Sequence, residues 1–144
     1  MQVKIIPAKA VLPIRQEVLR PNLGLKDCIF EGDLCKETLH FGVFSKNQLI
    51  GVATLFVSDS AFYKTGKCYQ LRGMAVCKKH QRTGAGHFLM QHILNHCKQQ
   101  KVEKIWWNAR VKAVPFYLKF DTEIISDIFT IAGIGEHYKM QKVF

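Results

Sequence analysis

Acidic side chains are scarce in this chain: 11 Asp and Glu stand against 21 Lys and Arg over 144 residues, a formal net charge of +10. Such an excess raises encounter rates with polyanions of every kind, nucleic acids, membranes and anionic small molecules alike. The lysines are scattered rather than blocked, from Lys4 and Lys9 to Lys139 and Lys142, and no nucleic-acid motif accompanies them. They read as a solvated surface, so neither a nucleic-acid nor a membrane partner is expected. Also missing is any apolar run near the ~20 residues needed to cross a bilayer. The opening MQVKIIPAKAVLPIRQ lacks the uninterrupted apolar core and small-residue cleavage site of a leader, which makes the cytoplasm the default location.

Cysteine pairing is absent as a pattern. Cys28, Cys35, Cys68, Cys77 and Cys97 are odd in number and contain no C-x-x-C, which excludes a disulfide framework or zinc knuckle and predicts reduced thiols. His92 and His96 share a helical face without a third ligand, so packing or surface roles are expected and no metal site. Internal repeats and low-complexity segments are likewise lacking. With 48% hydrophobic and 22% charged residues, the chain is composed like a globular protein and is long enough for one domain, taken as 1–144.

Against this background one stretch carries information: Tyr69 to Gln91, YQLRGMAVCKKHQRTGAGHFLMQ. Leu71, Met74, Ala75 and Val76 read as a strand, and Phe88, Leu89, Ile93 and Cys97 recur at helical spacing. Between them lies the turn His80-Gln81-Arg82-Thr83-Gly84-Ala85-Gly86. A helix start leaves backbone N–H groups without intrahelical acceptors and carries partial positive charge, so it suits a phosphate. Gly84 and Gly86 permit close approach, and Lys78, Lys79 and Arg82 add attraction. A tight strand-to-helix turn with no ligand is the plainer alternative. The dinucleotide fingerprint is excluded because Leu89 occupies its third small position, and the P-loop because His87 follows Gly86.

The rest reads in order. Val3–Ile6 is an opening strand stopped by Pro7, and a helix begins near Pro13 and runs to Leu19. Leu23–Thr38 is a polar loop with one helical turn. Leu39–Phe44 and Leu49–Val57 form a hairpin about Ser45–Gln48, Ser58–Lys67 is a polar connection, and Cys68–Val76 is the next strand. After a helix over Gly84–Gln100, Lys104–Asn108 returns as a parallel strand. A short helix over Ala113–Lys119, a strand over Glu123–Thr130, a turn at Ala132–Gly135 and a last strand over His137–Val143 complete the chain. Gly73 inside a strand marks a bulge or close approach.

Gln81-x-x-Gly84-x-Gly86 after a strand, then Trp107-Asn108-Ala109-Arg110, then Ala113-Val114-Pro115-Phe116-Tyr117-Leu118-Lys119-Phe120, resemble in order the acetyl-CoA loop, strand-five asparagine and tyrosine helix of the GNAT family of N-acetyltransferases. The resemblance spans the chain. It implies a single-domain α/β fold, a GNAT-like mixed sheet of about seven strands flanked by helices, with strands four and five splayed around the cofactor arm. It also implies acetyl-CoA as co-substrate, gripped by the backbone N–H groups of Arg82, Thr83, Gly84, Ala85, Gly86 and His87. Met74, Ala75 and Val76 would line the pantetheine, and a strand N–H would polarise the thioester oxygen. Asn108 would bind the cofactor amide or fix the tyrosine, with a strand-end cap as the plain alternative. Thr83 stands where the family often has arginine or lysine, with Arg82 displaced by one.

The implied reaction is direct acetyl transfer to a primary amine, of a small molecule or a protein, in a ternary complex; a homodimer is compatible. Tyr117 is the expected general acid, because a phenol with pKa near ~10 stays protonated at neutral pH; helix packing by Phe116, Tyr117 and Phe120 is the alternative. No pattern marks a base among His40, Asp33, Glu37 and Asp59. Arg15, Arg20 and Arg72 are able to bind an acidic acceptor, against the commoner structural or surface ion pair. Cys77 is a candidate nucleophile, set against a small strand-end residue. A CoA-binding sensor or scaffold without turnover is the alternative function, and a basic nucleic-acid-binding domain a third.

Overall fold

The structure, a computed structural model, describes residues 1–58 and 67–144. Among these, eight strands form a mixed sheet: β1 Gln2–Ile5, β2 Leu39–Ser45, β3 Gln48–Val57, β4 Lys67–Val76, β5 Val102–Arg110, β6 Glu123–Ile124, β7 Phe129–Ile131 and β8 Gly135–Val143. Hydrogen bonding orders them β1-β2-β3-β4-β5-β8-β6, with β7 on β8. Three helices occupy the connections, α1 Leu12–Leu19, α2 Ala85–Gln99 and α3 Val114–Leu118. The chain divides into two compact stretches, Met1–Val57 with Leu71–His96, and Ser58–Gln70 with Cys97–Phe144. β4 contributes to each.

In the first stretch, Pro13 falls in the first turn of α1, where its missing N–H costs nothing. Val11, Ile14, Val52 and Ala75 form a buried cluster, flanked by Ile6, Leu12, Val18 and Leu19. The β2–β3 turn is tighter than expected. Lys46 and Asn47 take φ values of 51° and 64°, and Ser45 pairs directly with Gln48, a two-residue loop whose left-handed backbone matches strand twist. Helix α2 buries Ala85, Leu89, Met90, Ile93, Leu94 and Cys97. Phe88, at 39% exposure, stands outside that apolar stripe. His92 and His96 lie edge-on to Phe41, at 6.0 and 5.4 Å between ring centroids.

The second stretch contains the parallel ladder between β4 and β5, which runs from Lys67↔Val102 to Gln70↔Trp106, while β4 continues to Val76 and β5 to Arg110. On its other edge β5 pairs antiparallel with β8 from Lys104↔Val143 to Arg110↔His137. The strand expected over Glu123–Thr130 is two short ones. Ser126 leaves the ladder because its hydroxyl, not its backbone, accepts the Lys139 N–H at 2.8 Å. Expected Ser58–Lys67 connection residues 59–66, Asp59 included, lie outside the described residues.

Candidate active site

Strand β4 delivers the chain into the basic turn. Gly51 of β3 lets the strands close: a Cβ there would stand 3.2 Å from Ala75 O and from Val76 Cγ2. Ala75 is buried, and Met74 and Val76 are half-buried. Past Val76 the Cys77 N–H donates to Ile50 O at 2.8 Å and the Lys78 N–H to the Glu17 carboxylate at 2.9 Å, anchoring the start of the turn to β3 and α1. Gln81 Nε2 donates back to Val76 O at 2.9 Å. This glutamine of the loop pattern therefore braces the turn.

Arg82 and Gly84 both have positive φ, 62° and 90°. Thr83 between them gives its hydroxyl to His80 O at 2.5 Å. The Phe88 N–H donates to Gly84 O at 2.9 Å, which puts Ala85, Gly86 and His87 in the first turn of α2. Left-handed residues at a helix entrance turn successive N–H groups toward one concavity, a general anion cradle. A Cβ built on Gly84 meets nothing within 4 Å, so the approach there is open, and Lys78, Lys79 and Arg82 of the same turn are exposed. These residues fit a diphosphate: backbone donors, an open face and cationic side chains occur together. His80 Nε2 is buried with no partner among the described residues.

Asn108 and Tyr117 fall in the second stretch. Asn108 is exposed on β5, opposite Lys139 of β8. Tyr117 lies on α3, which opens with Pro115 in its first turn. Its ring packs 5.0 Å from Trp107 and 5.1 Å from Phe116, and burial pushes its phenol up to about 12. Packing and a protonated phenol thus coexist at this residue.

Two candidate bases are consumed by structure. Asp33 binds Arg15 through Nη1–Oδ2 at 2.7 Å and Nη2–Oδ1 at 3.0 Å. Burial alone would raise its carboxyl, but the Arg15 hydrogen bond and charge, the Phe30 N–H and His40 outweigh it and hold the pKa low. His40 is 4% exposed, with Nδ1 2.8 Å from Thr54 Oγ1 and Nε2 2.9 Å from Asp33 O. Arg15, weighed as an acceptor ligand, is fully buried in the same network. Cys77 behaves as a strand-end residue: burial, then Glu17, raises its thiol, the reverse of nucleophile activation. Among the described residues no cluster of metal-ligating side chains occurs. Nor is any helix among them long and apolar enough to cross a membrane.

Residues 15–121 match the acetyltransferase (GNAT) family. Over 142 residues the chain is 30% identical to the uncharacterized N-acetyltransferase YitI of Bacillus subtilis (strain 168), covering 99% of this chain and 95% of that one. Its fold is similar to the crystal structure of Escherichia coli ElaA, with a TM-score of 0.79 at 18% identity and 98% of each chain covered. It is also similar to that of an aminoglycoside 6'-N-acetyltransferase complexed with coenzyme A, with a TM-score of 0.76 at 13% identity over 99% of this chain and 97% of that one. The chain belongs to the acetyltransferase (GNAT) family and is an N-acetyltransferase by class.

Proposed function

We propose that residues 1–144 act as one domain that uses acetyl-CoA to acetylate a primary amine, of a small molecule or a protein in the cytoplasm, by direct transfer with donor and acceptor bound together. The observation that supports this most is the open, left-handed turn at Arg82–Gly84 leading into α2. Backbone N–H groups from Arg82 to His87 hold the diphosphate, helped by the charge of the helix start. Acetyl-CoA, when bound, supplies an acyl carbon activated as a thioester.

The backbone of Met74, Ala75 and Val76 orients the pantetheine, and an N–H of that strand steadies negative charge on the carbonyl oxygen. Tyr117, kept protonated by burial, donates the proton taken up by the departing thiolate. Asn108 positions the cofactor amide. Asp33 and His40 are engaged elsewhere, so the amine gives up its proton to the exposed Glu37 or to solvent.

The test is acetyl-CoA-dependent release of free thiol across a panel of amines, beside calorimetry with CoA. Heat with CoA and thiol release that falls in Tyr117→Phe are expected. Heat without turnover over a wide panel, unchanged by Tyr117→Phe, would indicate a CoA-binding sensor instead.

A further inference from the structure

Phe30, 8% exposed, is ringed by cations. The guanidinium carbons of Arg15, Arg72 and Arg20 stand 3.9, 4.5 and 5.2 Å from its ring centroid, and Arg72 lies 5.6 Å from Phe56. Among the described residues the one ion pair that these three groups make is that of Arg15 with Asp33. Arg20 donates to the neutral carbonyl of Asp27 at 2.6 Å. Arg20 and Arg72 therefore make no ion pair of their own among the described residues and share with Arg15 the field of one carboxylate over an apolar floor.

Arg72 is half-buried. Desolvation lowers its pKa, Arg15 and Arg20 lower it further, and Asp33 opposes them. A cation partly stripped of water with no ion-pair partner of its own is costly, and an external anion offsets that cost. A second, independent sign lies beside it. Arg15 Nε, in a side chain with no solvent exposure, has no hydrogen-bond partner among the described residues. It stands 3.0 Å from where a Cβ on Gly73 would be, and Gly73 has φ +64°. This stretch of β4 is shaped around guanidinium groups.

The geometry points to a carboxylate subsite: the amine acceptor also carries an acidic group, held by the forked N–H donors of Arg72 with Arg20 beside it, over the rings of Phe30 and Phe56. A planar guanidinium between phenyl rings suits the paired oxygens of a carboxylate. Arg72 precedes Met74 by two residues, with the left-handed Gly73 between them, so the guanidinium cluster neighbours the strand segment assigned above to the pantetheine. That neighbourhood suits an amine and a carboxylate within one compact molecule, such as a free amino acid; a dipeptide carries both groups too, at its two ends. This inference rests on the acetyl-transfer reading above for its location, but not for its test.

The experiment compares free α-amino acids and β-alanine, each with its carboxamide, and a set of dipeptides. Binding is followed by saturation-transfer NMR with and without CoA, and turnover by thiol release. The wild-type protein should favour acid over amide by about 10- to 100-fold, the range of a charge-assisted hydrogen-bond pair. Arg72→Gln should bring that ratio within about threefold of one, and Arg72→Lys should fall between, because an ammonium lacks the fork. CoA affinity of each variant checks its folding. If a variant does not fold, the wild-type acid-to-amide ratio decides alone. Equal binding of acid and amide, binding of neither with or without CoA, or a ratio unchanged in folded Arg72→Gln overturns the subsite. Acid binding without any CoA heat overturns the acetyl-transfer reading and leaves the subsite standing. Preference for free acids over dipeptides identifies the amino acid, and the reverse identifies the dipeptide.

Discussion

Arg15 and Asp33 meet through two parallel hydrogen bonds, 2.7 and 3.0 Å long, with Arg15 fully and Asp33 almost fully withdrawn from water. Thr54 and the Cys28 carbonyl take further Arg15 donors at 2.9 Å each. The pair thus joins α1, the loop after it and β3. Removing one partner leaves the other charge buried, so Arg15→Met or Asp33→Asn should each lower unfolding free energy by about 3–5 kcal/mol in urea titration. Asp33 has a lower pKa folded than unfolded. Its contribution is therefore complete above about pH 5 and is lost as pH falls through the folded value, below the ordinary ~3.9. Acid titration of wild type against Asp33→Asn should show that loss only in the wild type.

Gly84 offers a different contrast, because the space for a side chain is open while its φ of +90° is not one that side chains adopt readily. Gly84→Ala should cost about 1–2 kcal/mol of stability through backbone strain alone. Gly84→Asp adds a negative charge at the phosphate cradle and should weaken CoA binding by at least about tenfold, or ~1.4 kcal/mol. Calorimetry separates the two effects. Equal CoA affinity in wild type and Gly84→Asp would remove the cradle from the account.

Tyr117→Phe removes the phenol and keeps the ring packed against Trp107. A lost general acid lowers kcat by about 10²–10⁴, with the Kd for CoA little changed. Because the phenol sits at about 12, wild-type activity should climb with pH as the amine loses its proton and should show no descending limb from Tyr117 below about pH 11. Stability behaves conversely at high pH. The raised folded pKa favours the protonated state, so this contribution is whole below the unfolded value near ~10 and disappears as pH rises through about 12.

Thiol labelling tests the packing of both stretches. Cys35 is exposed and Cys77 partly so, whereas Cys28, Cys68 and Cys97 are buried, and burial pushes Cys97 to about 12. A neutral-pH disulfide reagent should consume Cys35 quickly and Cys77 slowly, and reach the other three only after denaturation. Rapid native labelling of Cys97 would contradict the burial of that face of α2.

Local periodicity made much of this legible in advance. The hairpin of β2 and β3, the Pro13 start of α1 and the turn into α2 each announce themselves within about a dozen neighbouring residues. Gly73 also read correctly, because a glycine inside a strand signals a special backbone, and it has φ +64°. Long-range polar partners were not legible. Asp33 lies 18 residues from Arg15 and Thr54 lies 39 from it, so nothing near Asp33 or His40 distinguishes a buried structural group from a catalytic one. Leu89, Ile93 and Cys97, four residues apart, are all buried, whereas Phe88, about 100° around the helix from Leu89, is exposed. The break at Ser126 depends on a side-chain hydroxyl replacing a ladder bond, which alternation of hydrophobicity does not encode.

The division of the chain into Met1–Val57 with Leu71–His96, and Ser58–Gln70 with Cys97–Phe144, has a genetic corollary. The cradle and the arginine cluster are written in the former, Asn108 and Tyr117 in the latter. A saturation screen read out separately for ligand capture and for product formation should therefore yield two mutational maps that segregate along the gene. Lesions that abolish capture would concentrate in the former stretch, with Asn108 as their outlier in the latter, and lesions that spare capture but silence the reaction would centre on codon 117.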